Sequence, residues 1–425
     1  MTIAVFLASL LGAMALGMPI AYALIVCGAV LMWQMGNFDT QIVAQNLITG
    51  ADSFSLIAVP FFILAGEFMN AGGLSRRIID MATALVGHFR GGLGYAAIIA
   101  AIVMASLSGS AVADTAALAA LLMPMMRDAG YNVERSAGLI AAGGVIAPVI
   151  PPSIGFIIFG VASGVSITKL FIAGIFPGIL MGLSLVVAWW LVSRKESVKP
   201  LPRPAVTEIL RVIGRGFFAL LLPVVIIGGM KSGVFTPTEA AVVAAVYSLV
   251  VGLFIYREMK FLQIYHCLVS AAKITAVIMF LVAAAFVSAW LITIADLPGQ
   301  VTALMEPFLA NKILLMFLMM MLVVIVGSAM DFVPTVLILT PVLMPLVTKA
   351  GIDPVYFGVL FIMNNAIGLI TPPVGTVLNV VAGVGRVPMD KVIVGVLPFL
   401  LAELLVLFLL VLFPVLVTGP AKFFN

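Results

Sequence analysis

Apolar residues run almost unbroken through positions 3–33, 54–71, 168–192, 212–230, 237–256, 270–294 and 391–418. Each stretch is about long enough to cross a bilayer as a helix, which takes roughly 20 residues. Apolar segments of a second kind alternate with these. At 93–127 and 313–348, two short apolar arms flank a polar break. The breaks are Ser106-Leu107-Ser108-Gly109-Ser110 and Gly327-Ser328-Ala329-Met330-Asp331, and the pattern predicts re-entrant hairpins. At 136–162 and 356–384 the helical pattern is interrupted by Ala147-Pro148-Val149-Ile150-Pro151-Pro152-Ser153 and by Gly368-Leu369-Ile370-Thr371-Pro372-Pro373, which predicts broken crossings. Segments 75–89 and 297–310 are amphipathic, stand directly before the hairpins, and read as helices lying at the membrane surface.

These interruptions recur at a fixed spacing. Leu122-Met123-Pro124 returns as Leu343-Met344-Pro345, Ala129-Gly130 as Ala350-Gly351, and Pro151-Pro152 as Pro372-Pro373. Gly164, Gly174 and Pro177 match Gly385, Gly395 and Pro398 at the same offset. Proline and glycine are common in membrane helices and often mean only a kink. Four breaks at matched places in two halves mean more: paired discontinuous helices around a mid-membrane site, the plan of secondary transporters. The expected fold is an all-α polytopic membrane protein, an inverted-repeat transporter with two re-entrant hairpins and two broken helices. Residues 1–192 form the first repeat, 193–211 a linker, and 212–425 the second repeat.

Charge sets the orientation. The polar stretch 193–215 holds Arg194, Lys195, Lys199, Arg203, Arg211 and Arg215 against Glu196 and Glu208, so the positive-inside rule makes it cytoplasmic. Counting crossings from there, hairpin 93–127 has both ends in the cytoplasm, beside Arg76, Arg77 and Arg90. Hairpin 313–348 opens outward, as inversion requires. The N-terminus is then cytoplasmic and the C-terminus periplasmic, unless Gly17 and Pro19 fold 3–33 differently.

Composition agrees. The 425 residues are 64% hydrophobic and 9% charged, with a mean hydropathy of +1.30, against about 25% charged residues in soluble domains. The surface therefore faces a lipid bilayer. The net charge of +4 comes from loops and does not indicate nucleic acid. The first apolar run exceeds signal-peptide length without a charged start, so no cleavable signal is expected. Cys27 and Cys267 lack metal-ligand spacing and read as packing residues. His88 and His266 are isolated near run ends. No nucleophile–base set or phosphate loop is present, which argues against an enzyme.

Unwound backbone at membrane depth is tolerated only where protein buries it or a water-filled cavity receives it. Proline frees carbonyls, and freed carbonyls with hydroxyls make a hard-oxygen environment suited to Na⁺. Half-helix N-termini beside them favour a carboxylate. Cation and anion sites together suit a coupled symporter of organic anions. Ser106, Ser108, Ser110 and Thr371 lie in the breaks. Asp331 sits in a hairpin turn, either as a functional group or as the cap of the next half-helix, and Asp114 carries the same two readings. Ser108, Ser110, Asp114, Asp331 and Pro373 are the candidate substrate contacts. Glu67 reads as an ion-pair partner of Arg76 or Arg77, and Lys273 as a snorkelling residue.

The run PFFILAGEFMNAGGLSRR (60–77), with Gly91-Gly92-Leu93-Gly94-Tyr95, SGSAVADT (108–115), IPPS (150–153) and GLITPPVG (368–375), resembles the large, DctM-type membrane subunit of TRAP (tripartite ATP-independent periplasmic) transporters. The likeness spans essentially the whole chain. It implies Na⁺-coupled uptake of an organic acid by an elevator movement, in a bacterial inner membrane. It also implies a small four-helix membrane subunit and a periplasmic substrate-binding protein as partners. The family's first Na⁺ site corresponds to Ser106, Gly109, Ala147, Ile150 and Pro152, and its second to Gly327, Gly368, Thr371 and Val374. Within the family the chain is similar to the subgroup importing a sugar acid, 2,3-diketo-L-gulonate. A self-sufficient carboxylate symporter or antiporter of related fold is the competing expectation.

Overall fold

Gly17, at φ 80, and Pro19 divide the first apolar stretch. A single crossing over 3–33 therefore gives way to α1 (Thr2–Ala15) and α2 (Ile20–Gln34), because proline supplies no amide to continue the helical ladder. The computed structural model describes residues 2–36, 38–194, 198 and 200–424. Lys195, Glu196 and Lys199 of the linker lie outside the described residues.

From α2 the chain passes through α3 (Thr40–Ala51), α4 (Ala58–Ala71) and α5 (Leu74–Val86), then α6 (Gly92–Ser108) and α7 (Ala111–Asp128). The broken pair α8 (Val133–Gly144) and α9 (Ile154–Ser163) follows, and α10 (Ile167–Ser193) closes the first half. The second half runs α11 (Val206–Lys231), α12 (Pro237–Val250), α13 (Phe261–Ile294), α14 (Leu297–Met305), α15 (Lys312–Ala329) and α16 (Phe332–Lys349). It ends with the broken pair α17 (Pro354–Gly368) and α18 (Thr376–Gly385), then α19 (Met389–Leu412) and α20 (Val415–Phe424). No strand occurs among the described residues. Eight helical segments among them, including α10, α13, α15, α16 and α19, are long and apolar enough to cross a membrane.

Matched local sequence gives matched ends. Gly130 (φ 82) and Gly351 (φ 63) take the left-handed conformation just past α7 and α16, where a side chain would strain the turn. Asn132 and Asp353 then cap α8 and α17 by accepting backbone N–H bonds, at 3.0 Å from Arg135 and 2.7 Å from Val355. Each such cap is worth about 1 kcal/mol. Pro151–Pro152 and Pro372–Pro373 are both cis.

Around these elements, α4 packs on α12, and α13 packs on α2, α3, α4 and α16. On the other side α19 lies on α8, α10 and α17. An ion pair between Lys391 and Glu134, 3.3 Å, joins the starts of α19 and α8. Arg127 Nη2 donates to the Gly385 carbonyl at 2.9 Å and ties the end of α7 to the end of α18. Arg77 pairs with Glu258 at 2.8 Å and stacks over the Tyr256 ring, leaving Glu67 free for a different partner.

Candidate functional site

The first hairpin turns on Gly109, at φ 62. Its tip lies directly on the unwound segment between α8 and α9. A Cβ on Gly109 would stand 2.4 Å from the Pro152 carbonyl oxygen and 3.1 Å from Ser153 Cα, so only glycine fits. Ser108 Oγ donates to Asp114 Oδ1 at 2.5 Å, and the Ser110 amide donates to Ser108 Oγ at 3.1 Å. Ser110 Oγ accepts from the Ala113 amide at 3.4 Å, capping α7. Ser106 Oγ donates to the Val103 carbonyl at 2.6 Å. In the facing break, Ser153 Oγ donates to the Pro148 carbonyl and accepts from the Phe156 amide, which fixes the first turn of α9. Ala147, Ile150 and Pro152 are buried, as is Asp114.

The second hairpin meets its break through Gly327 and Gly368. A Cβ on Gly368 would come within 2.9 Å of the Gly327 carbonyl carbon. Thr371 Oγ1 donates to the Ile367 carbonyl at 2.9 Å. Asp331 occupies the N-cap position of α16 but its side chain makes no cap bond. Its Oδ1 instead accepts from Thr376 Oγ1 at 3.4 Å, across to α18. The capping reading of Asp331 therefore fails, while Asp114 is held by Ser108 inside its hairpin. Pro373 and Val374 are exposed.

Both tips and both breaks open onto one cavity of about 520 Å³. Gly109, Ser110, Pro148, Asp331 and Leu369 line one side; Glu67 on α4 and Ile274, Val277 and Ile278 on α13 line the other. The expected pairing of Glu67 with Arg76 or Arg77 is corrected here. α4 ends at Ala71, so the arginines turn away on α5, and Glu67 Oε1 accepts from Ser270 Oγ on α13 at 2.9 Å. The N-termini of α7 (Ala111–Ala113), α9 (Ile154, Gly155) and α16 (Phe332, Val333) all reach this cavity. Their free N–H groups and dipoles favour an anionic ligand. Ser110, Gly109 and Asp331 face the cavity, while Ser106, Ser108 and Asp114 stand behind the first tip without lining it.

Three polar groups that the sequence does not single out sit next to these breaks. Asn364 and Asn365 are fully buried on α17 and Thr115 on α7, and Oδ1 of each asparagine and Oγ1 of the threonine lack a hydrogen-bond partner, as does Oδ2 of the candidate Asp114. An unpaired buried polar atom is costly, about 1–3 kcal/mol. Buried oxygens without partners, on helices that flank the breaks, are ligands of the kind a hard monovalent cation takes, so the residues present fit Na⁺. A neutral Asn pair inside a span is itself a signal, since such groups are expensive in hydrocarbon.

A many-spanned helical membrane protein with paired hairpins and paired broken helices around one cavity is a transporter permease in class. Residues 7–416 match the family described as the tripartite ATP-independent periplasmic transporter, DctM component, and the chain belongs to that family. It is 57% identical to the 2,3-diketo-L-gulonate TRAP transporter large permease protein YiaN of Escherichia coli (strain K12), over 100% of both chains. It is 38% identical to the C4-dicarboxylate TRAP transporter large permease protein DctM of Pseudomonas aeruginosa, over 87% of each. The Alcanivorax borkumensis YdaH transporter shares the fold, with a TM-score of 0.65 at 15% identity over 87% of this chain and 86% of that one. The family implies a small membrane subunit and a periplasmic binding protein as partners, and these two bacterial relatives are named as large permease proteins.

Proposed function

We propose that the chain is the permease of a Na⁺-coupled TRAP importer of a sugar acid, such as 2,3-diketo-L-gulonate, in the bacterial inner membrane. The observation that carries this reading is the shared cavity, where two hairpin tips, two breaks and three helix N-termini meet. The N-termini of α7, α9 and α16 take the substrate carboxylate. Ser110, Asp331 and Glu67 offer acceptors to its hydroxyl or hydrated-carbonyl groups. Na⁺ supplies the downhill gradient and neutralises the carboxylates nearby. Ser106, Gly109, Ala147, Ile150 and Pro152 hold the first ion; Gly327, Gly368, Thr371 and Val374 hold the second. The small subunit enlarges the lipid-facing scaffold of α4, α12 and α13. Against that scaffold the hairpins and broken helices move as an elevator, and the periplasmic protein delivers the substrate.

Uptake of labelled sugar acids and dicarboxylates into proteoliposomes tests this reading. The chain is assayed with and without the small subunit and the loaded binding protein, under an imposed Na⁺ gradient. Uptake that requires both partners and inward Na⁺ supports it. Uptake by the chain alone supports a self-sufficient carrier instead.

A further inference from the structure

At the other end of α6 from the hairpin tip, the turn before Gly92 meets the end of α10 around a second cavity, of about 430 Å³. Phe89, Arg90, Tyr95, Trp190, Ser193 and Arg194 line it, and its volume falls within the roughly 300–1,000 Å³ of small-ligand sites. Its floor is tightly packed. Trp189 is fully buried and donates its indole N–H to the Gly91 carbonyl at 2.8 Å. A Cβ on Gly94 would collide with that indole, so α6 and α10 come this close only at a glycine. Above the floor, two arginines 104 residues apart in sequence meet. Arg90 Nη2 donates to the Arg194 carbonyl at 3.0 Å. The Arg194 guanidinium lies over the Trp190 ring, 3.4 Å from its centre. Stacking occupies the face of a guanidinium and leaves its N–H donors at the edge.

An apolar stripe leads away from this cavity. Ile179, Leu183, Val187, Trp190 and Leu191 are exposed, and their spacing of three or four places puts them on one face of α10, with Arg194 at its end. The chain beyond carries Lys195, Lys199 and Arg203 against Glu196, so the positive-inside rule sets this end of α10 in the cytoplasmic leaflet. That leaflet presents anionic lipids, and basic pockets between spanning helices on that side take their headgroups. Among the described residues that line the cavity, two are cations and none is a carboxylate. Interfacial Trp and Arg are common as single anchors, but single anchors neither enclose a cavity nor join two helices across it. We propose that this cavity binds the headgroup of an anionic phospholipid. Its phosphate takes the edge donors of Arg194 in the field of Arg90, its headgroup hydroxyls meet Tyr95 and Ser193, and one acyl chain lies along the α10 stripe. Arginine suits the role because its planar fork pairs with two phosphate oxygens at once. The bound lipid bridges the base of the first hairpin and the end of α10, whichever solute or ion the protein moves.

The test is native mass spectrometry of the purified chain, released from detergent and titrated with phosphatidylglycerol, phosphatidylcholine or inorganic phosphate. Wild type is expected to take up one phosphatidylglycerol saturably and to bind phosphatidylcholine more weakly. Arg90→Gln and Arg194→Gln should each weaken phosphatidylglycerol binding about fivefold, the equivalent of ~1 kcal/mol per arginine. Arg211→Gln, on α11, removes a charge from the same cytoplasmic stretch without lining the cavity and should bind as wild type does. Size exclusion shows first that each variant is monodisperse, and the comparison of lipids on wild type stands whether or not the variants fold. Equal uptake of phosphatidylcholine, unchanged binding in Arg90→Gln and Arg194→Gln, or equal loss in Arg211→Gln overturns the assignment in favour of general surface attraction. Displacement of the lipid by inorganic phosphate overturns it in favour of a free-anion site. Loss of the lipid on binding of the small membrane subunit overturns it in favour of a subunit contact.

Discussion

At the first break every residue from Ala147 to Ser153 is buried, whereas at the second Pro373 is exposed and Val374 is 45% exposed. The two segments share their cis proline pair and their place in the repeat, so the difference lies in the side chains around it. Ser153 locks the first break by bonding both the Pro148 carbonyl and the Phe156 amide. Valine at 374 can do neither. The helix after the second break accordingly starts one residue later, at Thr376, with Gly375 in the left-handed conformation before it. The hairpin tips follow suit. Ser108 and Gly109 are buried against the first break, while Ala329 and Asp331 at the second are exposed. One repeat plan thus yields a tightly packed break and a more exposed one around the same cavity, and the packed side is where substitutions should tell most.

The largest effect is expected at Gly109. Leucine there meets the Pro152 carbonyl and adds a left-handed backbone penalty of about 1–2 kcal/mol. Uptake by Gly109→Leu should fall about a hundredfold, ~2.7 kcal/mol on the transport barrier, with membrane insertion retained on fluorescence-detected size exclusion. Met330→Leu, at the matched and half-buried position of the other tip, should transport normally, because Leu–Met exchanges usually cost under about 1.5 kcal/mol. Equal loss in both variants would remove the distinction between the tips.

The next effect separates the two hairpin aspartates. Asp114 is buried and bonded to Ser108, while Asp331 lines the cavity. Asp114→Asn should lower the maximal uptake rate about tenfold, ~1.4 kcal/mol, and also lower the melting temperature. Asp331→Asn should leave stability unchanged and raise the KM for the sugar acid instead. Kinetics and melting curves on the same preparations distinguish the two.

The smallest effect tests the cap. Ser153→Ala removes one N-cap and should destabilise the protein by about 1 kcal/mol. Val374→Ser offers the second break the bond it lacks and should leave stability the same or slightly raised. A loss at 374 as large as at 153 would mean that the caps do not govern how open each break is.

Much of this was readable from spacing. Pro151-Pro152 with Pro372-Pro373, and Gly130 with Gly351, located the hairpins and breaks, because glycine and proline are visible wherever regular backbone stops. The inner lining was not readable. Sequence distance pairs Glu67 with the nearby arginines and does not reveal that α4 ends at Ala71 and sends them elsewhere. Thr115 and Asn365, each taken alone, give no signal in the sequence, because a single neutral polar residue in an apolar run has no periodicity of its own. Only packing shows that Thr115 occupies the space of Gly144 and that Asn365 faces Gly327. The split of 3–33 into two helices was signalled by Gly17 and Pro19, but its geometry depends on how α1 folds back on α2.

Thiol labelling of single-cysteine variants tests the difference between the packed and the exposed break most directly. Ser153→Cys and Val374→Cys would be made in a background lacking Cys27 and Cys267, and labelled from each side of proteoliposomes. The structure predicts reaction at 374 and protection at 153 in the resting protein. On addition of Na⁺, substrate and the partner subunits, labelling should fall at 374 and rise at 153, each from its own side of the membrane. Unchanged labelling at both positions under transport conditions, or access to both from one side, would contradict an exchange between two states of one repeat.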